Sequence, residues 1–404
     1  MSNDPFPLPQ TLDPFVQELK DALIAEGRWD ALDQAVKKAL TFQIKQMTDW
    51  GITSADNFLR YASGMMKWTP SEDVGGKEIY SVLCLFHFVF DQPPINELQT
   101  AIDVKSIGKA QTPLDQWVVA FANNMGAYMN SPASLTPESY QSFVNSPLFN
   151  LDEADLPDPN GPTGGFTKFN ELFARKLKKG VRPVSGAKDD RVIVYPADST
   201  FDGAWRITAD GTVYIHTYEI QTQKLKNIPW PVKELIGTTD YASRYNGGIW
   251  MHSFLGPADY HRQHAPVSGR VVEAKVIPGL CYLRVKAQND SQGNKIVVPH
   301  RTYGKTQTDE KGNTFDAPDD AGYQFLQARG WYVKSPFPMC MLLILQSPGH
   351  SFPKTIHPTI SLLFQECLAR AKLRHAASPL IIPSSATSLS FPSECVRYQA
   401  WYSK

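Results

Sequence analysis

The sequence predicts an α+β protein, with a helical N-terminal domain followed by a β-rich domain of mixed or antiparallel sheets. Two changes of pattern carry this prediction. Apolar residues recur at helical spacing from residue 13 to about residue 149, whereas short β-branched runs dominate after residue 190. Between them, residues 155–165 are rich in proline and glycine and predict a connecting loop. We therefore place the helical domain at 1–150 and the β-rich domain at 166–330.

The helical domain is predicted from five stretches with apolar residues at helical spacing. They lie at 15–24, 55–66, 79–90, 116–129 and 137–144. Ser54 and Thr136 precede two of these stretches and belong to the residue types that cap helix N-termini. Pro137 suits the first position of a helix. A further helix is predicted beyond the loop, at 169–177.

The β-rich domain is predicted from four runs of β-forming residues. They lie at 191–195, 212–216, 270–276 and 295–298. The pattern changes again near residue 331. Residues 350–404 contain no glycine, although average usage of about 7% would place roughly four there, and β-rich domains need glycine in their turns. We therefore expect residues 331–404 to be an atypical tail that replaces the end of the domain.

Charge and cysteine content narrow the function classes. The 40 basic and 40 acidic residues balance, which argues against nucleic acid as a partner. The five cysteines are an odd number without close spacing, so neither a disulfide framework nor a zinc site is expected. The apolar stretch at 80–90 is too short to span a bilayer, and the first ten residues do not form a secretory signal. A cytoplasmic protein without a bound metal is the simplest expectation.

A pair of histidines is the clearest chemical feature. Residues 259–269 read Asp-Tyr-His-Arg-Gln-His-Ala-Pro-Val-Ser-Gly and lead into a predicted strand. His261 and His264 are suited to move protons near neutral pH, and catalytic groups concentrate on loops held by a rigid sheet. Two surface or core histidines without a function are the alternative. Metal ligation is a third reading, but no further ligand stands at convincing spacing.

Two other segments contain residue types that assist histidine chemistry. Residues 195–199 read Tyr-Pro-Ala-Asp-Ser, and Asp198 could orient a histidine or simply bond its own backbone in a turn. Residues 169–184 read Phe-Asn-Glu-Leu-Phe-Ala-Arg-Lys-Leu-Lys-Lys-Gly-Val-Arg-Pro-Val and predict a short amphipathic helix with a basic end and a glycine stop. Taken alone, this third segment indicates packing and attraction of anions.

Together, in this order and spacing, the three segments closely resemble the motifs of the phosphatidylserine decarboxylase family. Two positions depart from the family pattern: Leu172 replaces an aromatic residue, and Ser199 stands where glycine is usual. The resemblance covers residues 166–330, and residues 316–326 match a block of the fungal branch. The helical N-terminal part resembles the extension of that branch, which includes the tryptophan decarboxylase of psilocybin synthesis, a product of fungal secondary metabolism.

The resemblance implies a carboxy-lyase with a pyruvoyl cofactor generated from its own serine by autocatalytic cleavage. In the family, the serine follows a glycine and attacks that glycine's carbonyl. Asp198 and His264 would act with this serine as a proteolytic triad, and His261 would serve decarboxylation. The implied reaction converts phosphatidylserine to phosphatidylethanolamine in phospholipid biosynthesis. Decarboxylation of a free aromatic amino acid such as tryptophan is the alternative within the family. Peripheral membrane contact and homo-oligomerisation are further expectations.

The chain departs from the family at the serine itself. No Gly-Ser pair occurs anywhere in the 404 residues. The nearest substitutes are Ser351, which follows Gly349-His350, and Ser385, which follows Pro383-Ser384. Because the motif is missing where the composition also changes, we consider two hypotheses: a reading frame that differs from the ancestral one after about residue 331, and a catalytically inactive family member. A chain with this tail is expected not to cleave itself.

Overall fold

A computed structural model describes eleven segments of the chain. They are residues 6–102, 104–184, 194–219, 224–237, 241–264, 270–299, 306–308, 314–316, 326–335, 339–344 and 380–382. Ser351 and Ser385 lie outside these segments, as do the histidine-flanking residues 265–269 and most of the predicted tail.

The N-terminal part is helical, as predicted. Its helices are α1 (Pro14–Ala25), α2 (Trp29–Leu40), α3 (Lys45–Asp49), α4 (Ala55–Met65), α5 (Glu78–Phe90), α6 (Pro113–Met129) and α7 (Pro137–Asn145). The predicted caps are confirmed: Ser54 Oγ accepts the Asn57 N–H at 3.2 Å, and Thr136 Oγ1 accepts the Ser139 N–H at 3.1 Å. Each bond satisfies one of the backbone donors that a helix leaves free at its start.

The helix predicted at 169–177 is shorter in the structure. Helix α8 spans Phe169–Phe173. The chain then runs alongside residues 153–155, because Leu177 forms an antiparallel bridge with Ala154 and the Asp155 N–H donates to the Lys176 carbonyl at 2.8 Å. Pairing with a distant segment therefore replaces the last helical turns. A second short helix of the C-terminal part, α9, spans Val232–Ile236.

The strands confirm the α+β class. They are β1 (Thr200–Arg206), β2 (Thr212–Glu219), β3 (Lys224–Pro231), β4 (Ile249–Phe254), β5 (Arg270–Ile277), β6 (Val285–Asn289), β7 (Lys295–Pro299), β8 (Thr306–Thr308), β9 (Thr314–Asp316), β10 (Arg329–Ser335), β11 (Met339–Ile344) and β12 (Leu380–Ile382). Six form one sheet in the order β1-β4-β12-β11-β10-β5, and the others form the hairpins β2–β3, β6–β7 and β8–β9. The pairs between these strands are antiparallel.

One strand predicted in the β part differs from the structure, and the predicted tail is not tested by it. Of the strand predicted at 191–195, residues 191–193 lie outside the described segments, and Val194 and Tyr195 are not in a strand. Instead, the Pro196 carbonyl accepts the His264 N–H at 3.4 Å. After residue 328, β10, β11 and β12 join the main sheet. The boundary at 330 and the tail at 331–404 stay predictions.

The helices and one β-hairpin share a hydrophobic core. Leu283, Val285 and Val297, from β6–β7 and the turn before it, belong to the same buried apolar cluster as helices α1–α8. A second cluster lies between β1, β3, β4 and α9 and contains Trp205, Trp230 and Trp250. Among the described residues, we find no helix with the length and apolar character needed to cross a membrane.

Candidate functional site

The histidine segment follows directly from β4. Its turn is closed by Asp259, whose Oδ2 accepts the Gly256 N–H at 2.6 Å. Tyr260 Oη lies 3.0 Å from His264 Nε2, and the two rings stack with centroids 5.7 Å apart. The segment therefore holds the His264 ring through a side chain four residues earlier, in addition to the backbone bond to Pro196.

His261 is held by contacts of a different kind. Its Nε2 lies 3.3 Å from the Pro257 carbonyl oxygen. Because a carbonyl only accepts hydrogen bonds, this contact favours the form of the imidazole with a proton on Nε2. The ring also stacks on Phe173, the last residue of α8, with centroids 3.9 Å apart. Helix α8 thus contributes a wall of the site next to His261.

Asp198 lies in the loop before β1 and is paired with an arginine. Its Oδ2 accepts from Arg182 Nε at 2.9 Å. The neighbouring Ser199 Oγ lies 3.3 Å from Ser253 Oγ on β4. Within the described part of the chain, no hydrogen bond joins the Asp198 carboxylate to His264. The structure therefore brings the two segments together through the backbone bond between His264 and Pro196, but it does not pair the two side chains.

Arg182 joins Asp198 to the end of the helical part. Its Nη2 lies 2.8 Å from Glu153 Oε2, so one guanidinium contacts two carboxylates from distant segments. Burial by itself lowers the pKa of Arg182. The hydrogen bond that Arg182 donates to Glu153 and the charges of Asp198 and Glu153 outweigh this effect, and the net pKa is raised. The cation is therefore firmly held between the two acids.

Arg175 is the most deeply buried cation of the site, with 3% of its surface exposed. Its Nη2 donates to the Phe149 carbonyl at 2.8 Å and to the Ala258 carbonyl at 2.9 Å. Burial lowers its pKa to about 10, so it still carries a charge at neutral pH. Its Nε and Nη1 have no hydrogen-bond partner among the described residues. Arg175 thus connects the helical part to the residue before Asp259.

Asp259 has a raised pKa of about 6. Burial is the main cause, and the charge of Asp198 adds to it. The Gly256 N–H bond and the charge of Arg175 act in the opposite direction. A carboxyl group that titrates near neutral pH, on the segment that also carries His261 and His264, is suited to proton transfer.

The sequence analysis named Asp198, His261 and His264 and missed their partners. Arg175 and Arg182 lie in the motif at 169–184, where the sequence indicated only a basic helix end. Glu153 lies outside all three motifs, so no sequence signal pointed to it. Across the described segments, no group of three or more histidine, cysteine or acidic residues could hold a metal ion.

Comparisons with known proteins show what this part of the chain is similar to. The family model described as phosphatidylserine decarboxylase matches residues 169–315, which include Asp198, His261 and His264. Phosphatidylserine decarboxylase proenzyme 3 of Schizosaccharomyces pombe is 35% identical over 177 residues, which are 43% of this chain and 16% of the relative. The phosphatidylserine decarboxylase proenzyme of Stenotrophomonas maltophilia is 35% identical over 130 residues, or 32% of this chain and 41% of the relative.

A third relative is similar to a comparable share of the chain. The phosphatidylserine decarboxylase proenzyme of Vibrio cholerae is 31% identical over 177 residues, which are 42% of this chain and 56% of the relative. The chain thus spans less than two thirds of the length of each of these curated relatives. The motifs, the matched residues and the named relatives agree: residues 169–315 of this chain are similar to the phosphatidylserine decarboxylase family.

Proposed function

We propose that the site of this chain recognises the serine headgroup of phosphatidylserine, and that the reaction of its lineage is the decarboxylation of that headgroup to ethanolamine. The match at 169–315 carries the proposal, because it contains all three candidate site residues in family order. The relatives described above are all named phosphatidylserine decarboxylase proenzymes, which favours this lipid over a free aromatic amino acid. The membrane contact that a lipid substrate requires is part of the proposal.

The described residues support distinct roles. His264, held by Tyr260 and by the Pro196 carbonyl, would accept the proton of an attacking hydroxyl. By the family resemblance, Asp198 would stabilise the charged imidazole, although its carboxylate is paired with Arg182 in this structure. His261 would contact the substrate carboxylate or return a proton to carbon. In either role, His261 would donate the Nε2 proton that the Pro257 contact favours, in place of its present contact with the Pro257 carbonyl.

The pyruvoyl cofactor of the family does not fit the residues present. It would form from a serine that follows a glycine, and the chain contains no Gly-Ser pair. The proposed processing residues Asp198 and His264 are therefore present in the sequence, whereas the precursor is not.

The missing Gly-Ser pair favours a second candidate function, in which the chain is a non-catalytic relative that binds phosphatidylserine without turnover. The two candidates share the same ligand and differ in the fate of its carboxylate. They can therefore be separated by measuring binding and CO₂ release on one sample.

The experiment uses the full-length chain with phosphatidylcholine vesicles that either contain or lack phosphatidylserine labelled at the serine carboxyl. We expect preferential sedimentation with the phosphatidylserine vesicles. The His261→Gln variant should weaken this binding by about tenfold, because a hydrogen bond to a charged group contributes about 1.5 kcal/mol or more. Asp152→Asn, which changes an exposed acid, should bind normally.

Labelled CO₂ decides between the candidates. Its release, together with a cleaved chain, supports the decarboxylase. Binding without CO₂ from an uncut chain supports the non-catalytic relative. Equal binding to both kinds of vesicle, with no CO₂, would overturn both.

A further inference from the structure

The two arginines of the motif at 169–184 make parallel connections. Arg175 joins the Phe149 carbonyl to the Ala258 carbonyl, and Arg182 joins Glu153 to Asp198. In each case one contact lies at the end of the helical part, and the other lies on a segment that carries a candidate site residue. The short stretch at 149–153 is therefore in contact with both halves of the site, although it precedes the family match at 169–315.

We propose that Glu153 is a positioning residue of this site: it fixes the Arg182 guanidinium, which in turn fixes the carboxylate of Asp198. The proposal rests on the proposed function in that Asp198 is one of its site residues. Glu153 does not touch the reacting groups and acts only through Arg182.

Backbone hydrogen bonds hold the stretch of chain that carries Glu153. The Lys178 N–H donates to the Glu153 carbonyl at 2.9 Å, and the Asp155 N–H donates to the Lys176 carbonyl at 2.8 Å. These bonds tie the stretch that carries Glu153 to the stretch leading to Arg182. The Glu153 side chain therefore starts from a defined place rather than from a free loop.

The guanidinium geometry explains how the effect is transmitted. Arg182 uses Nε for Asp198 at 2.9 Å and Nη2 for Glu153 at 2.8 Å. Because the guanidinium is planar and rigid, holding one of its nitrogens restricts the direction of the others. The side chains of Arg182, Asp198 and Glu153 are only 20%, 21% and 30% exposed. Without Glu153, Arg182 could rotate about its long side chain and release Asp198.

The test observes the Asp198 carboxyl directly. The full-length chain is labelled with aspartate that carries ¹³C at the side-chain carboxyl, and the Asp198 resonance is assigned by its loss in Asp198→Asn. We expect this resonance to shift in Glu153→Gln in the same direction as in Arg182→Gln, but by less. It should stay in place in the matched control Asp152→Asn, whose side chain is exposed one residue away.

A conservative variant separates positioning from bulk stability. Glu153→Asp keeps the charge and shortens the side chain, so the Asp198 resonance should return part of the way towards its wild-type position. Unfolding by urea is measured on the same variants as a control for folding. Should Glu153→Gln fail to fold, the comparison of Glu153→Asp with Asp152→Asn still decides, because the proposal requires a shift in the first and none in the second.

An Asp198 resonance that is unchanged in the folded Glu153 variants would overturn the proposal, whether or not the chain binds phosphatidylserine or releases CO₂. Conversely, the expected shift in a chain that neither binds phosphatidylserine nor releases CO₂ would keep the positioning role and remove the proposed function. The two claims therefore fail independently.

Discussion

At the residue scale, the charged groups of the site compensate one another across segments that are far apart in sequence. Arg175 partly offsets the cost of burying Asp259, and Arg182 is shared by Glu153 and Asp198. A buried charge is tolerated only with such partners. The balance between these groups makes the stability of the site depend on pH.

Replacement of Arg175 by methionine should lower the free energy of unfolding by about 2 kcal/mol, since it leaves the buried Phe149 carbonyl and the partly buried Ala258 carbonyl without their donor. The loss should be larger at pH 7 than at pH 5. Asp259, with a pKa of about 6, is mainly ionised at pH 7 and then lacks its nearby cation, whereas at pH 5 it is mainly protonated.

Urea unfolding at the two pH values checks this prediction. Lys179→Met, which removes an exposed cation in the same motif, is the control and should change little at either pH. Equal losses for Arg175→Met at pH 5 and pH 7 would show that Arg175 does not compensate Asp259.

Glu72 provides a second pH-dependent prediction, away from the site. Burial raises its pKa to about 7, although its Oε1 accepts the Asp73 N–H at 3.0 Å and the Glu78 N–H at 2.5 Å. A carboxyl group whose pKa is raised in the folded state contributes stability at low pH that is lost as the pH rises through its folded pKa. The relevant window runs from about pH 4.5, its ordinary pKa, to pH 7.

The free energy of unfolding of wild type should therefore fall by about 2 kcal/mol more than that of Glu72→Gln across this window. This value takes about 1.4 kcal/mol for each unit of pKa shift and reduces the sum for solvent screening. Denaturant unfolding at several pH values measures the difference. Glu138→Gln, an exposed acid at the start of α7, is the control and should follow wild type. Parallel curves for wild type and Glu72→Gln would rule out the raised pKa.

The sequence predicted Asp198, His261 and His264 because histidines and acids in recurring motifs have recognisable chemistry. It could not predict the partners of these residues. The contacts of Arg175 go to main-chain carbonyls, which any residue type supplies, and they join positions 26 and 83 residues away. Glu153 carries no distinguishing sequence feature, and only the folded chain brings it to Arg182.

At the scale of single elements, five of the helices predicted from the sequence were confirmed because their signals are local, whereas α2 and α3 had not been predicted. The caps Ser54 and Thr136 and the first-turn Pro137 act within one turn of the residues they affect. Helix α8 was predicted too long because its end is set by pairing with residues 153–155, which a local pattern does not contain. A local pattern was also insufficient for Val194 and Tyr195, which are β-forming residue types but do not lie in a strand.

Thr136→Ala should cost about 1 kcal/mol of stability, because it removes the acceptor for the Ser139 N–H at the start of α7. Thr136→Ser retains the hydroxyl and should lie close to wild type. Thermal and urea unfolding of the three proteins provide the measurement. If serine and alanine had equal effects, the lost methyl group rather than the cap would explain the cost.

At the scale of the whole molecule, the helical part and the β part are connected by packing as well as by the arginines. Val297 of β7 is buried in the same apolar cluster as the helices. The division into domains at 1–150, 166–330 and 331–404 stays a prediction. A shared core implies that the helices and this hairpin lose their structure together.

Val297→Ala should therefore lower the stability of the helices by about 2 kcal/mol, since it deletes two buried methyl groups. The helical circular dichroism signal and tryptophan fluorescence should move together to lower urea concentrations. Lys295→Ala, exposed on the same strand, is the matched control and should leave both transitions in place. A shift in fluorescence without a shift in the helical signal would indicate that the helices fold independently.

The central claim is that this chain carries motifs similar to those of the phosphatidylserine decarboxylase family but lacks the Gly-Ser pair from which that family forms its cofactor. The mass of the purified full-length chain tests this claim most directly. We predict one uncut polypeptide of 45.2 kDa, because no serine in the sequence follows a glycine. Two fragments, the smaller one with a blocked N-terminus that begins at Ser351 or Ser385, would contradict the claim and identify the residue that forms the pyruvoyl group.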